Sequence, residues 1–168
     1  MATLWLIGMM GAGKTTVGRM VALAAGTPFA DLDDAIEADA GIPIPQIFAD
    51  GGEDRFREFE LRAVNRVAGT TAVVATGGGV VTRRAAVERM QATGVVVWLD
   101  APVATLAGRV GDGFYRPMLS GGDPAEAVRT LAAARAPAYA AAAHHRVTTA
   151  DREPGECAEE VVSLWMKS

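Results

Sequence analysis

The chain has 168 residues, half of them hydrophobic and 21% charged, with a formal net charge of −4. That composition fits one globular domain with a sizeable core and excludes whole-chain disorder. It also excludes a global basic field for nucleic acid, so an anionic ligand must be held by locally placed cations.

No apolar run approaches the ~18 residues of a membrane span. No basic segment precedes the first apolar stretch and no cleavage site follows it, so the chain is expected in the cytoplasm, without a secretion signal. The single cysteine, Cys157, permits no internal disulfide and is expected as a packing thiol. A monomer is the default expectation.

Thr3–Ile7 is an unbroken apolar run, the pattern of a buried parallel strand. Gly8-Met9-Met10-Gly11-Ala12-Gly13-Lys14-Thr15 follows and matches G-x-x-x-x-G-K-[ST] at every fixed position. From Lys14 to Ala25, Val17, Met20, Val21 and Ala24 recur at helical spacing. Strand, glycine loop and helix together form a phosphate cradle: successive backbone N–H groups point inward and the helix adds its positive dipole end. Gly11, Ala12, Gly13, Lys14, Thr15 and Thr16 are therefore expected to hold ATP. Lys14 would reach the β- and γ-phosphates, and the Thr15 hydroxyl would take one position on Mg²⁺.

Further along, residues 27–31 predict a brief turn and strand, and Ala35–Ala40 a short helix closed by Gly41. Pro43 and Pro45 predict a loop, Gln46–Asp50 a helical turn ended by Gly51-Gly52, and Glu53–Ala68 a longer helix. Strands are predicted at Thr71–Thr76, Val95–Leu99 and Val147–Thr149. Helices are predicted at Thr82–Ala92, Pro102–Arg109, Ala125–Ala143 (bent or broken at Pro137) and Glu156–Met166. Residues 110–124, rich in glycine with two prolines, read as a mobile loop. Apolar strands alternating with helices give an α/β fold, a parallel sheet covered on both faces, with ligands at the carboxyl ends of its strands. The P-loop, Asp31 and Gly77-Gly78-Gly79 all follow strands on that edge.

Five further motifs fall in order: Phe29-Ala30-Asp31-Leu32-Asp33, the Gly52–Glu60 stretch G-E-x-x-F-R-x-x-E, the triple glycine 77–79, Tyr115-Arg116-Pro117-Met118-Leu119, and Arg135-Ala136-Pro137-Ala138-Tyr139. With these the sequence closely resembles the shikimate kinases over nearly its whole length. The resemblance implies a single-domain, three-layer P-loop kinase fold with a five-stranded parallel sheet, an acceptor region near residues 32–61 and a lid near 110–124. It implies transfer of the γ-phosphoryl group of ATP to the 3-hydroxyl of shikimate, with Mg²⁺.

Residue by residue, the resemblance puts Asp31 near the magnesium and its water shell, and Asp33 on the acceptor hydroxyl as base or positioner. Arg57 and Arg135 would grip the shikimate carboxylate, for which the guanidinium fork is the matched shape. Gly78 would let backbone N–H approach the substrate, and Phe48 and Phe56 would wall its ring. Arg116 would close from the lid over the phosphates, while Arg109 and Pro154 would flank adenine. No acid follows the Thr71–Thr76 strand at the usual magnesium position, a feature the family shares, so Asp31 is expected to cover that role. His144 and His145 have no evident metal partner.

Three other readings compete: a kinase of another carboxylated polyol such as gluconate, a nucleotide-binding module without catalysis, and an adenylate-kinase-like enzyme. Retention of Lys14, Thr15, Asp33 and Arg116 argues against the second. The paired aspartates of a short acceptor region argue against the third.

Overall fold

The computed structural model describes residues 2–110 and 122–168. Its five strands are β1 (Thr3–Ile7), β2 (Phe29–Asp31), β3 (Val73–Ala75), β4 (Gly94–Asp100) and β5 (His145–Thr148). They form one parallel sheet in the order β2-β3-β1-β4-β5. The helices are α1 (Lys14–Ala25), α2 (Leu32–Ala40), α3 (Ile44–Val67), α4 (Arg84–Thr93), α5 (Val103–Val110), α6 (Pro124–Ala142) and α7 (Pro154–Met166), with a 3-10 turn at Val80–Thr82.

Residues 4–7 of β1 are apolar and wholly buried because both faces of the sheet are covered. On one face Gly18 of α1 lies directly over Leu6 and Phe29, and α7 packs beside α1. On the other, Trp98 of β4 stacks under Tyr139 of α6, with ring centroids 5.6 Å apart. The register pairs Ile7 with Trp98 and Leu6 with Val97, so alternate residues serve opposite layers. From β1 the chain crosses outward to β2, whereas from β3 it crosses back over β1 to β4. The loops after β1 and β3 thus diverge and open a crevice at their carboxyl ends.

Several boundaries differ from the sequence reading. Helix α2 begins at Leu32, immediately after β2, because the Asp31 side chain accepts from the Asp33 N–H and caps it. Pro45 sits in the first turn of α3 rather than in a loop; there its missing N–H costs nothing. The two helical pieces expected around Gly52 abut across a kink, where Gly52 takes φ 68 and ψ −167, a conformation essentially confined to glycine. Helix α6 runs unbroken through Pro137. Pro137 and Ala133, whose carbonyl loses its helical donor, are both exposed, so water can serve in its place.

Candidate active site

The glycine loop turns through positive φ at Gly8, Gly11 and Gly13, and Gly13 is the N-cap of α1. Lys14 is buried and folds back over the loop, its Nζ donating to the Gly8 and Met9 carbonyls at 2.8 Å each. Next to it the Thr15 hydroxyl donates to Asp31 Oδ2 at 2.9 Å, which joins the P-loop to the end of β2. Burial raises the Asp31 carboxyl above its ordinary 3.8, more than its bonds from Thr15 and the Asp33 N–H lower it.

A cavity of about 430 Å³ runs along this loop. Gly11, Ala12, Gly13, Lys14, Thr15, Thr16, Asp31, Asp33, Arg109 and Pro154 all line it, so the structure brings these expected residues together. Arg109 reaches in from α5 to donate to the Gly11 carbonyl. Arg116 and the loop carrying it lie outside the described residues. Thr76, Thr149, Arg152 and Cys157 also line the cavity and were not foreseen. The β5–α7 connection that carries Thr149 and Arg152 follows a strand on the ligand edge, and that position was the available signal.

At the other end, the kink at Gly52 aims the second half of α3 so that Glu53, Arg57 and Glu60 share one stripe. Arg57 is buried and bonds Glu60 Oε2 at 2.8 Å and Glu53 Oε1 at 3.0 Å. Glu60 is 1% exposed; burial lifts its carboxyl above the usual 4.5 despite the pull of Arg57. Phe48 and Phe56 stack with centroids 4.8 Å apart, and the Arg57 guanidinium lies over the Phe56 ring at 5.2 Å.

Arg135, buried on α6, approaches the same place from a different helix. A methyl group added at Gly78 would lie 3.3 Å from the Met10 nitrogen and 3.6 Å from Arg135 Nη1. One added at Gly79 would lie 2.0 Å from Arg57 Nη2. The Gly78-Gly79 dipeptide is therefore bracketed by two buried guanidiniums and backs onto the P-loop. At Gly77 an added methyl would meet Glu60 Oε1 at 2.9 Å and Asp33 Oδ1 at 3.5 Å. Asp33 thus faces both the long cavity and the arginine-lined end.

The arrangement is a glycine-loop phosphate cradle, a hydroxyl–carboxylate pair with hard oxygen donors, and two buried arginines bracketing a glycine dipeptide beside a stacked aromatic pair. Among the described residues no group of three or more His, Cys, Asp or Glu could hold a metal ion, and no helix is long and apolar enough to cross a membrane.

Known proteins resemble this chain in sequence and fold. The shikimate kinase family model matches residues 10–165. A shikimate kinase from Symbiobacterium thermophilum is 48% identical over 160 residues, spanning 94% of this chain and 92% of that protein. The structure of the Acinetobacter baumannii shikimate kinase in complex with shikimate superposes with a TM-score of 0.94 at 36% identity, over 99% of this chain and 94% of that one. A gluconokinase from Sinorhizobium meliloti shares the fold at a TM-score of 0.61 but is only 18% identical, covering 99% of this chain and 92% of that one. Matched by the family model over nearly its whole length, the chain belongs to the shikimate kinase family.

Proposed function

We propose that this chain transfers the γ-phosphoryl group of ATP to the 3-hydroxyl of shikimate. The observation that carries the reading is the pair of buried arginines, Arg57 and Arg135, bracketing Gly78-Gly79 one loop away from Lys14. Buried guanidiniums on either side of a side-chain-free backbone suit a planar carboxylate. The stacked Phe48 and Phe56 supply an apolar surface for a carbon ring.

With ATP in the 430 Å³ cavity, the P-loop N–H groups hold the phosphates. Lys14 exchanges its bonds to the Gly8 and Met9 carbonyls for bonds to phosphate oxygens. Arg109 and Pro154 flank the adenine. Asp33 accepts from the attacking hydroxyl and aligns it with the γ-phosphorus; in a loose transition state alignment matters more than early proton removal. Arg116, brought by the lid, adds positive charge to the transferring group and shields it from water.

Thr15 and Asp31 fit Mg²⁺, since a hydroxyl and a half-buried carboxylate are hard oxygen donors and burial leaves the carboxylate in need of a cation. Bound with the nucleotide, the ion would neutralise charge on the β- and γ-phosphate oxygens. The enzyme works as a monomer in the cytoplasm.

The test is ADP release from Mg-ATP with shikimate, gluconate or no acceptor, for the wild type and Arg57→Ala. Shikimate-dependent turnover that collapses in the variant supports the reading. Turnover with gluconate and none with shikimate would overturn it in favour of the polyol alternative.

A further inference from the structure

Tyr139 is 1% exposed, sits one helical turn beyond Arg135 on α6, and has no part in the chemistry above. Its hydroxyl donates to the Gly78 carbonyl oxygen, while the Arg135 guanidinium serves it as a second hydrogen-bond partner. The ring is fixed by its stack on Trp98, so the phenol has no room to turn elsewhere.

Peptide geometry carries the consequence forward. In a trans peptide the C=O of one residue and the N–H of the next point in opposite directions, and no peptide bond among the described residues is cis. Capture of the Gly78 oxygen by Tyr139 therefore turns the Gly79 N–H away from α6. Gly79 is also the residue against which the Arg57 guanidinium rests.

We infer that Tyr139 is a positioning residue for the acceptor carboxylate: one hydroxyl holds both the Gly78-Gly79 peptide and the Arg135 guanidinium, so that the Gly79 N–H, Arg135 and Arg57 are presented as a single set of donors. The inference rests on the shikimate reading above. Burial pushes the Tyr139 ionisation up to about 12, against the opposing pull of Arg135, so the hydroxyl remains a donor through the working pH range.

Tyr139→Phe keeps the ring stack and removes only the hydroxyl. Initial rates are measured with shikimate and with its analogue carrying hydroxymethyl in place of the carboxylate. Expected for the variant is a loss of about tenfold or more in kcat/KM for shikimate, the scale of hydrogen bonding to a charged group. The KM for ATP stays within about twofold, and variant and wild type process the hydroxymethyl analogue equally within the same margin.

A merely structural role would lower both acceptors alike and would also disturb ATP; that pattern, or an unchanged shikimate kcat/KM, overturns the inference. Trp98→Phe, which loosens the stack but keeps the hydroxyl, should lower the melting temperature without discriminating between the acceptors; discrimination equal to that of Tyr139→Phe would also overturn it. Failure of the wild type to phosphorylate shikimate would instead overturn the functional reading, and this inference with it.

Discussion

Replacing Gly79 with alanine tests the acceptor end through a single methyl group. Gly79 has φ −99 and ψ 2, a backbone open to residues with side chains, so the substitution brings no φ penalty. The added carbon would stand 2.0 Å from Arg57 Nη2 and 2.6 Å from Cζ, so the guanidinium must leave its place. That side chain is 5% exposed and bonded at 2.8 Å to Glu60, itself 1% exposed. Loss of one charge-assisted hydrogen bond of this kind costs about 1.5–3 kcal/mol, and loss of the same guanidinium from a bound carboxylate costs a similar amount. The first cost lowers the melting temperature by roughly 3–10 °C for a chain of this size. The second raises the KM for shikimate about 10- to 150-fold. The KM for ATP should not change, because the P-loop lies behind Gly78 rather than Gly79. Coupled ADP-release kinetics with each substrate varied in turn, alongside a thermal melt, read all three quantities. A folded Gly79→Ala enzyme with an unaltered shikimate KM would refute the placement of Arg57 as the carboxylate grip.

Three other perturbations reach different parts of the site. Asp31→Asn keeps a good N-cap for α2, so stability should change by less than about 1 kcal/mol, but the Mg²⁺ concentration for half-maximal rate should rise at least about tenfold; an unchanged Mg²⁺ titration would remove Asp31 from the metal role. Gly52→Ala meets no atom within 4 Å, yet it forces φ 68 on a residue with a side chain, so a loss of about 1–3 kcal/mol is expected in urea unfolding. For Glu60, burial raises the folded carboxyl above its unfolded value of 4.5, so the native state binds the proton more tightly. Its contribution to stability is then complete below 4.5 and declines as pH rises through the folded value. Glu60→Gln should therefore lose less stability than wild type as the pH is raised from 4.5, and a wild type that gains on the variant over that range would reverse the sign.

Much of this site was legible in the sequence because its parts are local. The P-loop needs only a strand, three glycines, Lys14 and the helix that follows, all within a short stretch. Asp31 and Asp33 are two residues apart at a strand end, and their convergence on the P-loop follows from the parallel sheet. Arg57's pairing was partly legible: the helix expected from Glu53 places Glu53 and Glu60 at i−4 and i+3 of Arg57, but that Arg57 and Glu60 would be buried together depends on how α3 packs. Thr149 and Arg152 were missed because the short edge strand β5 gives a weak pattern, and its following loop joins the cavity only once the strand order is known. Nor could the sequence place the Tyr139 hydroxyl on Gly78, 61 residues earlier in the chain, since that bond depends on how α6 lies across β4.

The triple glycine shows how such distant parts become one device. Each of the three is free of a side chain for a different neighbour: Gly77 for Glu60 and Asp33, Gly78 for the P-loop backbone and Arg135, Gly79 for Arg57. Three successive residues thus touch Asp33, the phosphate loop and the two buried arginines, the groups proposed to align the hydroxyl and to hold the carboxylate. Any β-carbon here would push one of these groups away from the others, and phosphoryl transfer depends on their relative positions to within about an ångström. A strand of only three residues, β3, suffices to deliver them, because Thr76 anchors its end by donating from both backbone and hydroxyl to the Leu6 carbonyl of β1. The strand that leads into the P-loop therefore also holds the glycine segment that the buried arginines bracket, and the phosphate loop and the proposed acceptor end are registered to each other through a single pair of neighbouring strands.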